Sequence, residues 1–138
     1  MTATYMMRVR YAETDQMGFA HHANHLVWFE AARTEFLRTT DCSYADFERA
    51  GIFIPVLEAS CRYFSPAFYD DVLAVECRAG KLTPARLELL YELRREGELL
   101  AEGRTVHAFM GADRRPVNLK KRAPQLWEIL RRLAGAEP

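Results

Sequence analysis

The chain lacks the features that mark a secreted or membrane protein. It has three cysteines, Cys42, Cys61 and Cys77, and no C-x-x-C pair, so we expect no disulfide and a reducing compartment. No segment approaches the roughly 20 apolar residues that span a bilayer. Met1 is not followed by the basic region and apolar stretch of a signal peptide. We therefore expect a cytoplasmic protein without a membrane span.

Neither sign of charge is in excess. Nineteen Lys and Arg residues balance nineteen Asp and Glu residues, so the overall charge favours neither a nucleic acid nor an anionic membrane surface as a partner. Internal repeats, low-complexity tracts and linkers are also missing. A chain of 138 residues can bury one core, and we expect a single domain over residues 1–138.

The periodicity of apolar residues predicts an α+β fold. Alternation typical of strands occurs at residues 7–11, 54–63, 73–79, 87–94 and 99–110. A helix is predicted from Asn24 to about Arg38, and its apolar residues on most sides suggest that it is wrapped by other elements. Ser43 and Asp46 predict a capped short helix ended by Gly51, and an amphipathic helix follows Pro124. A curved antiparallel sheet of about five strands around the long N-terminal helix accounts for this order.

The segment from Tyr11 to Gly18, which is soon followed by several histidines, carries the most chemical information. It places Asp15 in the connection between the first predicted strand and the predicted long helix. A helix N-terminus offers free N–H groups and partial positive charge to an oxyanion, and a nearby carboxylate can activate water or attack directly. This combination favours acyl transfer. Taken alone, Asp15 is better suited to capping a turn or a helix than to catalysis, and Gly18 can be an ordinary turn residue.

The run from Tyr11 to Leu37 resembles the signature of hotdog-fold acyl-CoA thioesterases of the 4-hydroxybenzoyl-CoA thioesterase type. The matching positions are Tyr11, Asp15, Gly18, His22, Asn24, Phe29, Glu30, Arg33, Glu35 and Leu37. The resemblance implies a single hotdog domain that hydrolyses an acyl-CoA to a carboxylic acid and free CoA without a cofactor. It also implies a homodimer or homotetramer. An acyl carrier protein is the alternative carrier of the acyl group.

The same resemblance assigns roles to individual residues. Asp15 takes the position of the catalytic carboxylate, either as nucleophile or as general base. His22 takes the position whose backbone N–H points at the thioester carbonyl, and Tyr11 that of an active-site aromatic residue. The predicted substrate-binding residues are Met17, Gly18 and Asn24.

Two positions depart from the family pattern, and one competing site uses neighbouring residues. His25 stands where an aromatic residue is usual and Glu13 where Asp is common, which leaves the acyl preference open. His21 and His25 are spaced as on one helical face, and His22 and Asp15 are close by in the sequence. Imidazoles and a carboxylate are ordinary zinc ligands. An H-x-x-x-H pair without a glutamate and a third ligand is a weak motif, so no metal is expected.

Two other functions remain compatible with this fold. One is a non-catalytic binding module for acyl-CoA or acyl carrier protein, which has no need of a carboxylate beside a thioester. The other is a hydratase or dehydratase, in which histidine and an acid share proton transfers. The spacing from Asp15 to Gly18 resembles thioesterases more than it resembles hydratases.

Overall fold

The computed structural model describes residues 1–40 and 42–135. Its strands are β1 (Thr2–Arg8), β2 (Ile52–Phe53), β3 (Val56–Tyr63), β4 (Val72–Leu82), β5 (Arg86–Arg95), β6 (Glu98–Ala108) and β7 (Met110–Gly111). Its α-helices are α1 (Asn24–Arg38), α2 (Tyr44–Arg49), α3 (Leu119–Arg122) and α4 (Pro124–Leu133). The predicted order of strand, long helix, short helix, four strands and terminal helix is confirmed, with the short elements β2, β7 and α3 in addition.

As predicted, five strands form one antiparallel sheet. Their order across the sheet is β1-β4-β5-β6-β3. Strands β1 and β3 are its edges. Alternate residues of each strand face the same side, so Cys77 on β4, Tyr91 on β5, Gly103 on β6 and Cys61 on β3 form one row across the sheet. This row lies beneath helix α1.

Helix α1 packs closely on this row through Phe29. The Phe29 ring stacks on Tyr91 with 4.5 Å between the ring centroids and 14° between the ring planes. A side chain at Gly103 would collide with the Phe29 ring, so the absence of a Cβ atom at this position lets the helix approach the sheet. Phe29 is fully buried as a result.

The expectation that helix α1 is wrapped is met on one side only. Leu26 and Val27 are exposed, Val27 to 58%. The edge strand β3 beside them also exposes apolar residues, including Val56 and Leu57. Within one chain, the sheet covers the inner side of the helix and leaves its other side uncovered.

The first strand begins and ends earlier than predicted, because it spans Thr2–Arg8 and not residues 7–11. It ends at Arg8, and residues Tyr11–Glu13 form a 3₁₀ turn. The cause is the side chain of Glu13, whose carboxylate accepts a hydrogen bond of 2.8 Å from the Arg10 N–H and draws the chain into a turn. Tyr11 therefore lies outside the strand, with 77% of its surface exposed.

The shorter helices follow their local signals. Ser43 and Asp46 form the predicted capping box, and Gly51 adopts a left-handed φ of 75° just past the end of α2. Pro124 opens α4, which buries Leu126, Leu130 and Leu133. Within residues 1–40 and 42–135, none of the helices has both the length and the apolar character required to cross a bilayer.

Candidate active site

A closed loop holds Asp15 between strand β1 and helix α1. The Asp15 N–H donates to the Phe19 carbonyl, and the Gly18 N–H donates back to the Asp15 carbonyl, each at 3.0 Å. Gly18 adopts a φ of 88°, which a residue with a Cβ atom rarely accepts. The Ala20 N–H then donates to the Ala67 carbonyl at 2.7 Å and fastens the loop to the β3–β4 connection.

The two carboxylate oxygens of Asp15 have different surroundings. Oδ1 accepts a hydrogen bond of 2.9 Å from the Met17 N–H, which fixes the side chain in an Asx turn. Oδ2 has no hydrogen-bond or ionic partner in the part of the chain that the structure describes. One oxygen therefore orients the group, and the other is available for attack on a carbonyl or for water.

Glu13 anchors this loop to the start of helix α1. It is 5% exposed, and its carboxylate accepts hydrogen bonds of 2.8 Å from both the Arg10 N–H and the Trp28 indole N–H. Burial raises the pKa of Glu13, but the hydrogen bonds from Arg10 and Trp28 outweigh it and hold the pKa below its ordinary value. The Glu13 carbonyl also accepts from the His21 N–H at 2.8 Å and from the Asn24 amide at 2.9 Å.

The peptide between His21 and His22 is oriented by Asn24. The His21 carbonyl accepts from the Asn24 N–H at 3.0 Å and from the Asn24 side-chain amide at 3.2 Å. A trans peptide points its N–H opposite to its C=O, so the His22 N–H is directed away from these bonds. Among the described residues nothing accepts from it. This free donor immediately before a helix is suited to an oxyanion.

Asp15 and His22 line the same cleft, which has a volume of about 450 Å³. It opens between the Asp15 loop, the start of helix α1 and the end of strand β3. The other lining residues are Met17, Phe19, Ala20, His25, Tyr63, Phe64, Ser65, Pro66 and Ala67. A carboxylate, a free backbone donor and mainly apolar walls are the components that hydrolysis of an activated acyl group requires.

Tyr63 connects the edge strand to the first turn of the helix. Its hydroxyl donates a hydrogen bond of 2.9 Å to the His22 carbonyl. Its ring packs edge-to-face on His25 with 4.7 Å between the centroids. The His22 carbonyl also accepts from the His25 N–H at 3.3 Å and from the His25 Nδ1–H at 3.1 Å, so both peptides that flank His22 are held in place.

The chain is similar in sequence and in fold to known proteins. A family model described as the Thioesterase-like superfamily matches residues 9–133. The chain belongs to this superfamily. Members of known structure share its fold: a DHNA-CoA thioesterase from Staphylococcus aureus is 32% identical, with a TM-score of 0.91 over 97% of this chain and 91% of that one.

Two relatives within the superfamily are similar over most of their length. The 1,4-dihydroxy-2-naphthoyl-CoA hydrolase of Thermosynechococcus vestitus is 30% identical over 105 residues, which are 75% of this chain and 72% of that protein. The acyl-CoA thioesterase YbgC of Haemophilus influenzae is 31% identical over 100 residues, which are 72% and 74% of the two chains. The predicted hotdog fold and the predicted enzyme class, a thioester hydrolase, are confirmed. The narrower 4-hydroxybenzoyl-CoA thioesterase type stays a prediction.

The structure brings together some of the predicted site residues. Asp15, Met17 and His22 line the cleft. Gly18 shapes the loop but does not line the cleft. The Asn24 side-chain amide donates to the Glu13 and His21 carbonyls and so holds the backbone in place. The side chain of Asn24 does not cap the helix, because the N-cap residue is Ala23. In the single chain Tyr11 is not among the cleft residues. Its ring packs on Tyr69 with 5.6 Å between the centroids.

Several lining residues had no predicted role. His25 was recognisable in the sequence as unusual, because it stands where the family pattern usually has an aromatic residue. Tyr63 and Ala67 gave none, because their place at the site depends on which strand forms the edge of the sheet next to helix α1. Within the described ranges, no group of three or more His, Cys, Asp or Glu side chains could hold a metal ion.

Proposed function

We propose that this protein is a cytoplasmic acyl-CoA thioesterase, which hydrolyses the thioester bond to give a carboxylic acid and free CoA. The observation that carries the proposal is the shared cleft, which is lined both by Asp15, whose Oδ2 is free among the described residues, and by His22, whose N–H is unbonded among them. The names of two relatives, a naphthoyl-CoA hydrolase and an acyl-CoA thioesterase, support CoA as the carrier.

In the proposed reaction the two groups act on opposite ends of the thioester carbonyl. Asp15 drives the attack on the carbonyl carbon. The His22 N–H donates a hydrogen bond to the carbonyl oxygen and stabilises the negative charge that develops there. One such oxyanion donor lowers the barrier by about 3 kcal/mol. The protein needs no cofactor for these steps, because a thioester is already activated and its thiolate leaves readily.

The test is release of free thiol from a panel of aromatic, short-chain and longer acyl-CoA substrates. Asp15→Asn keeps the size of the side chain and an acceptor for the Met17 N–H but removes the negative charge, so turnover should be lost in a folded protein. Asp113→Asn is a matched control, because Asp113 Oδ1 accepts from the Arg115 N–H in the same type of Asx turn and Asp113 is not among the cleft residues. Wild-type rates in Asp15→Asn would falsify the assignment.

The same assay separates the alternatives. Binding of acyl-CoA without thiol release identifies a binding module. Loss of conjugation in an enoyl-CoA without thiol release identifies a hydratase. Running acyl-CoA and acyl carrier protein substrates side by side decides which carrier the protein uses, and the panel identifies the acyl group.

We also propose that the protein works as a homodimer, with two such dimers forming the tetramer that the family resemblance implies. Edge strand β3 offers unpaired backbone groups on one side. The exposed apolar residues of β3 and α1, namely Leu26, Val27, Val56 and Leu57, lie beside that edge. A second copy that covers this surface would complete the wrapping of helix α1.

A further inference from the structure

His25 lies in the cleft but has no role in the reaction proposed above. It is the second residue of helix α1, it is 3% exposed, and it lines the same cleft as Asp15 and His22. An aromatic ring at this position would provide the same packing against Trp28 and Tyr63, whose rings lie 4.8 and 4.7 Å from that of His25. Packing alone therefore does not require an imidazole.

The hydrogen bonds of His25 determine where its proton lies. Nδ1 is 3.1 Å from the His22 carbonyl, and a carbonyl only accepts, so Nδ1 carries the hydrogen. In the neutral ring Nε2 then carries a lone pair. Among the described residues Nε2 has no partner, and it is not sealed from solvent, since no buried side-chain nitrogen lacks a bond. The lone pair is therefore accessible, on a residue that lines the cleft.

The surroundings of His25 keep the ring neutral. Burial lowers the pKa of His25, and the nearby His22 lowers it further, against the opposing effect of the hydrogen bond to the His22 carbonyl. The partial positive charge of the helix N-terminus acts in the same direction. The other ionisable groups around this cleft are Asp15 and His22 on the loop that precedes the helix and Tyr63 on strand β3. A neutral imidazole with an open lone pair is a proton acceptor.

We propose that His25 Nε2 is the base that activates the hydrolytic water, which assigns the role of nucleophile to Asp15. This rests on the proposed thioesterase function. Asp15 Oδ2 attacks the acyl carbon, the C–S bond breaks, and its electron pair leaves with the CoA sulfur as thiolate. A water molecule then attacks the acyl carbon of the Asp15 anhydride while one of its protons moves to Nε2. Asp15 leaves as a carboxylate, and the imidazolium passes its proton to the thiolate.

The decisive variant is His25→Phe, which retains an aromatic ring and removes the base. General-base catalysis contributes roughly 100-fold or more, so the steady-state kcat should fall by about that factor. Because the first step survives, thiol release should show a burst of about one equivalent per active site before the slow phase. KM should stay equal or fall, and the acid limb of the pH profile that belongs to His25 should disappear. Wild-type turnover, or a slower rate with neither the burst nor the changed pH profile, overturns the proposal.

Two further measurements keep the test decisive. His107→Gln is the control, because His107 is also a buried neutral histidine but is not among the cleft residues; it should lower stability without a burst. Nitrogen-15 NMR of wild-type protein should find the His25 proton on Nδ1, and a proton on Nε2 instead overturns the proposal even if His25→Phe fails to fold.

If the wild type hydrolyses acyl-CoA and Asp15→Asn does not, a normal His25→Phe variant refutes the role of His25 alone. A wild type without thioesterase activity refutes the proposed function, and the NMR result is independent of it.

Discussion

The hydroxyl of Tyr63 donates a hydrogen bond of 2.9 Å to the backbone carbonyl of His22. This bond joins the end of the edge strand to His22, which lines the cleft and supplies the proposed oxyanion donor. The position of the candidate oxyanion donor therefore depends on the sheet as well as on the helix.

Tyr63→Phe should reduce turnover while preserving the fold. The change removes the hydroxyl but keeps the ring that packs on His25, so about 1 kcal/mol of stability should be lost. Looser placement of the His22 peptide should lower kcat about 5- to 10-fold, since an oxyanion donor must be held in position. Stopped-flow thiol release and urea denaturation measure the two effects. Tyr69→Phe is the control, because the Tyr69 ring packs on Tyr11 and Tyr69 is not among the cleft residues. An equal loss in both variants would contradict this role.

The contact between Glu13 and Trp28 should support activity through the shape of the loop. Glu13→Gln leaves a side chain that cannot accept from both the Arg10 N–H and the Trp28 indole, and Trp28→Phe removes one of these donors. Each change should cost roughly 2 kcal/mol of stability and lower kcat. The losses in the double variant should be smaller than the sum of the losses in the two single variants, because both changes affect the same hydrogen bond between Glu13 and Trp28. Full additivity in kcat would indicate that the two residues act separately.

His107 should make the protein less stable below neutral pH. Burial lowers the pKa of His107 to about 4 from an ordinary 6.5, with the charge of Arg33 adding to the effect against the hydrogen bond to Ile54. Above pH 6.5 the free energy of unfolding has its full value. It decreases as the pH falls from 6.5 toward 4, because only the unfolded chain binds a proton at His107 in this range. The loss should reach about 3 kcal/mol.

Urea denaturation at several pH values between 4 and 7 measures this dependence. His25 contributes with the same sign, so the contribution of His107 is the difference between the wild type and His107→Gln. The Gln variant should be less stable at pH 7 but should show a shallower decline. Parallel curves for the two proteins would mean that His107 titrates normally.

Charge on the exposed edge of strand β3 should prevent association. Leu57→Lys introduces a charge beside unpaired backbone groups, where burial against a second copy would be costly. Light scattering should report a dimer or tetramer for the wild type and a monomer for this variant. Met6→Lys is the matched control, because Met6 is similarly exposed on the opposite edge strand β1. A monomeric wild type, or dissociation by Met6→Lys alone, would refute pairing through β3.

The sequence predicts those parts of the fold that depend on neighbouring residues. The capping box of Ser43 and Asp46 and the extent of helix α1 are local, and both are present. The end of strand β1 was wrong by a few residues, because the side chain of Glu13 turns the chain before Tyr11. Alternation alone cannot report such a side-chain bond.

The candidate site was predictable only where one short segment forms it. Asp15 and His22 are seven positions apart in the sequence, and their proximity follows from the turn at Gly18. Tyr63 and Ala67 reach the same cleft through the pairing order of the sheet, which periodicity does not encode. The open lone pair of His25 depends on a backbone carbonyl whose direction is known only in three dimensions.

The close contact between Phe29 and Gly103 fixes how far helix α1 can slide along its own axis. The contact lies only five residues beyond the first residue of the helix, so little helix separates this fixed point from the residues that face the cleft. Movement at the far end of the helix, near Thr39 and Thr40, should therefore scarcely reach them. Random mutagenesis should tolerate changes there far better than any side chain at position 103.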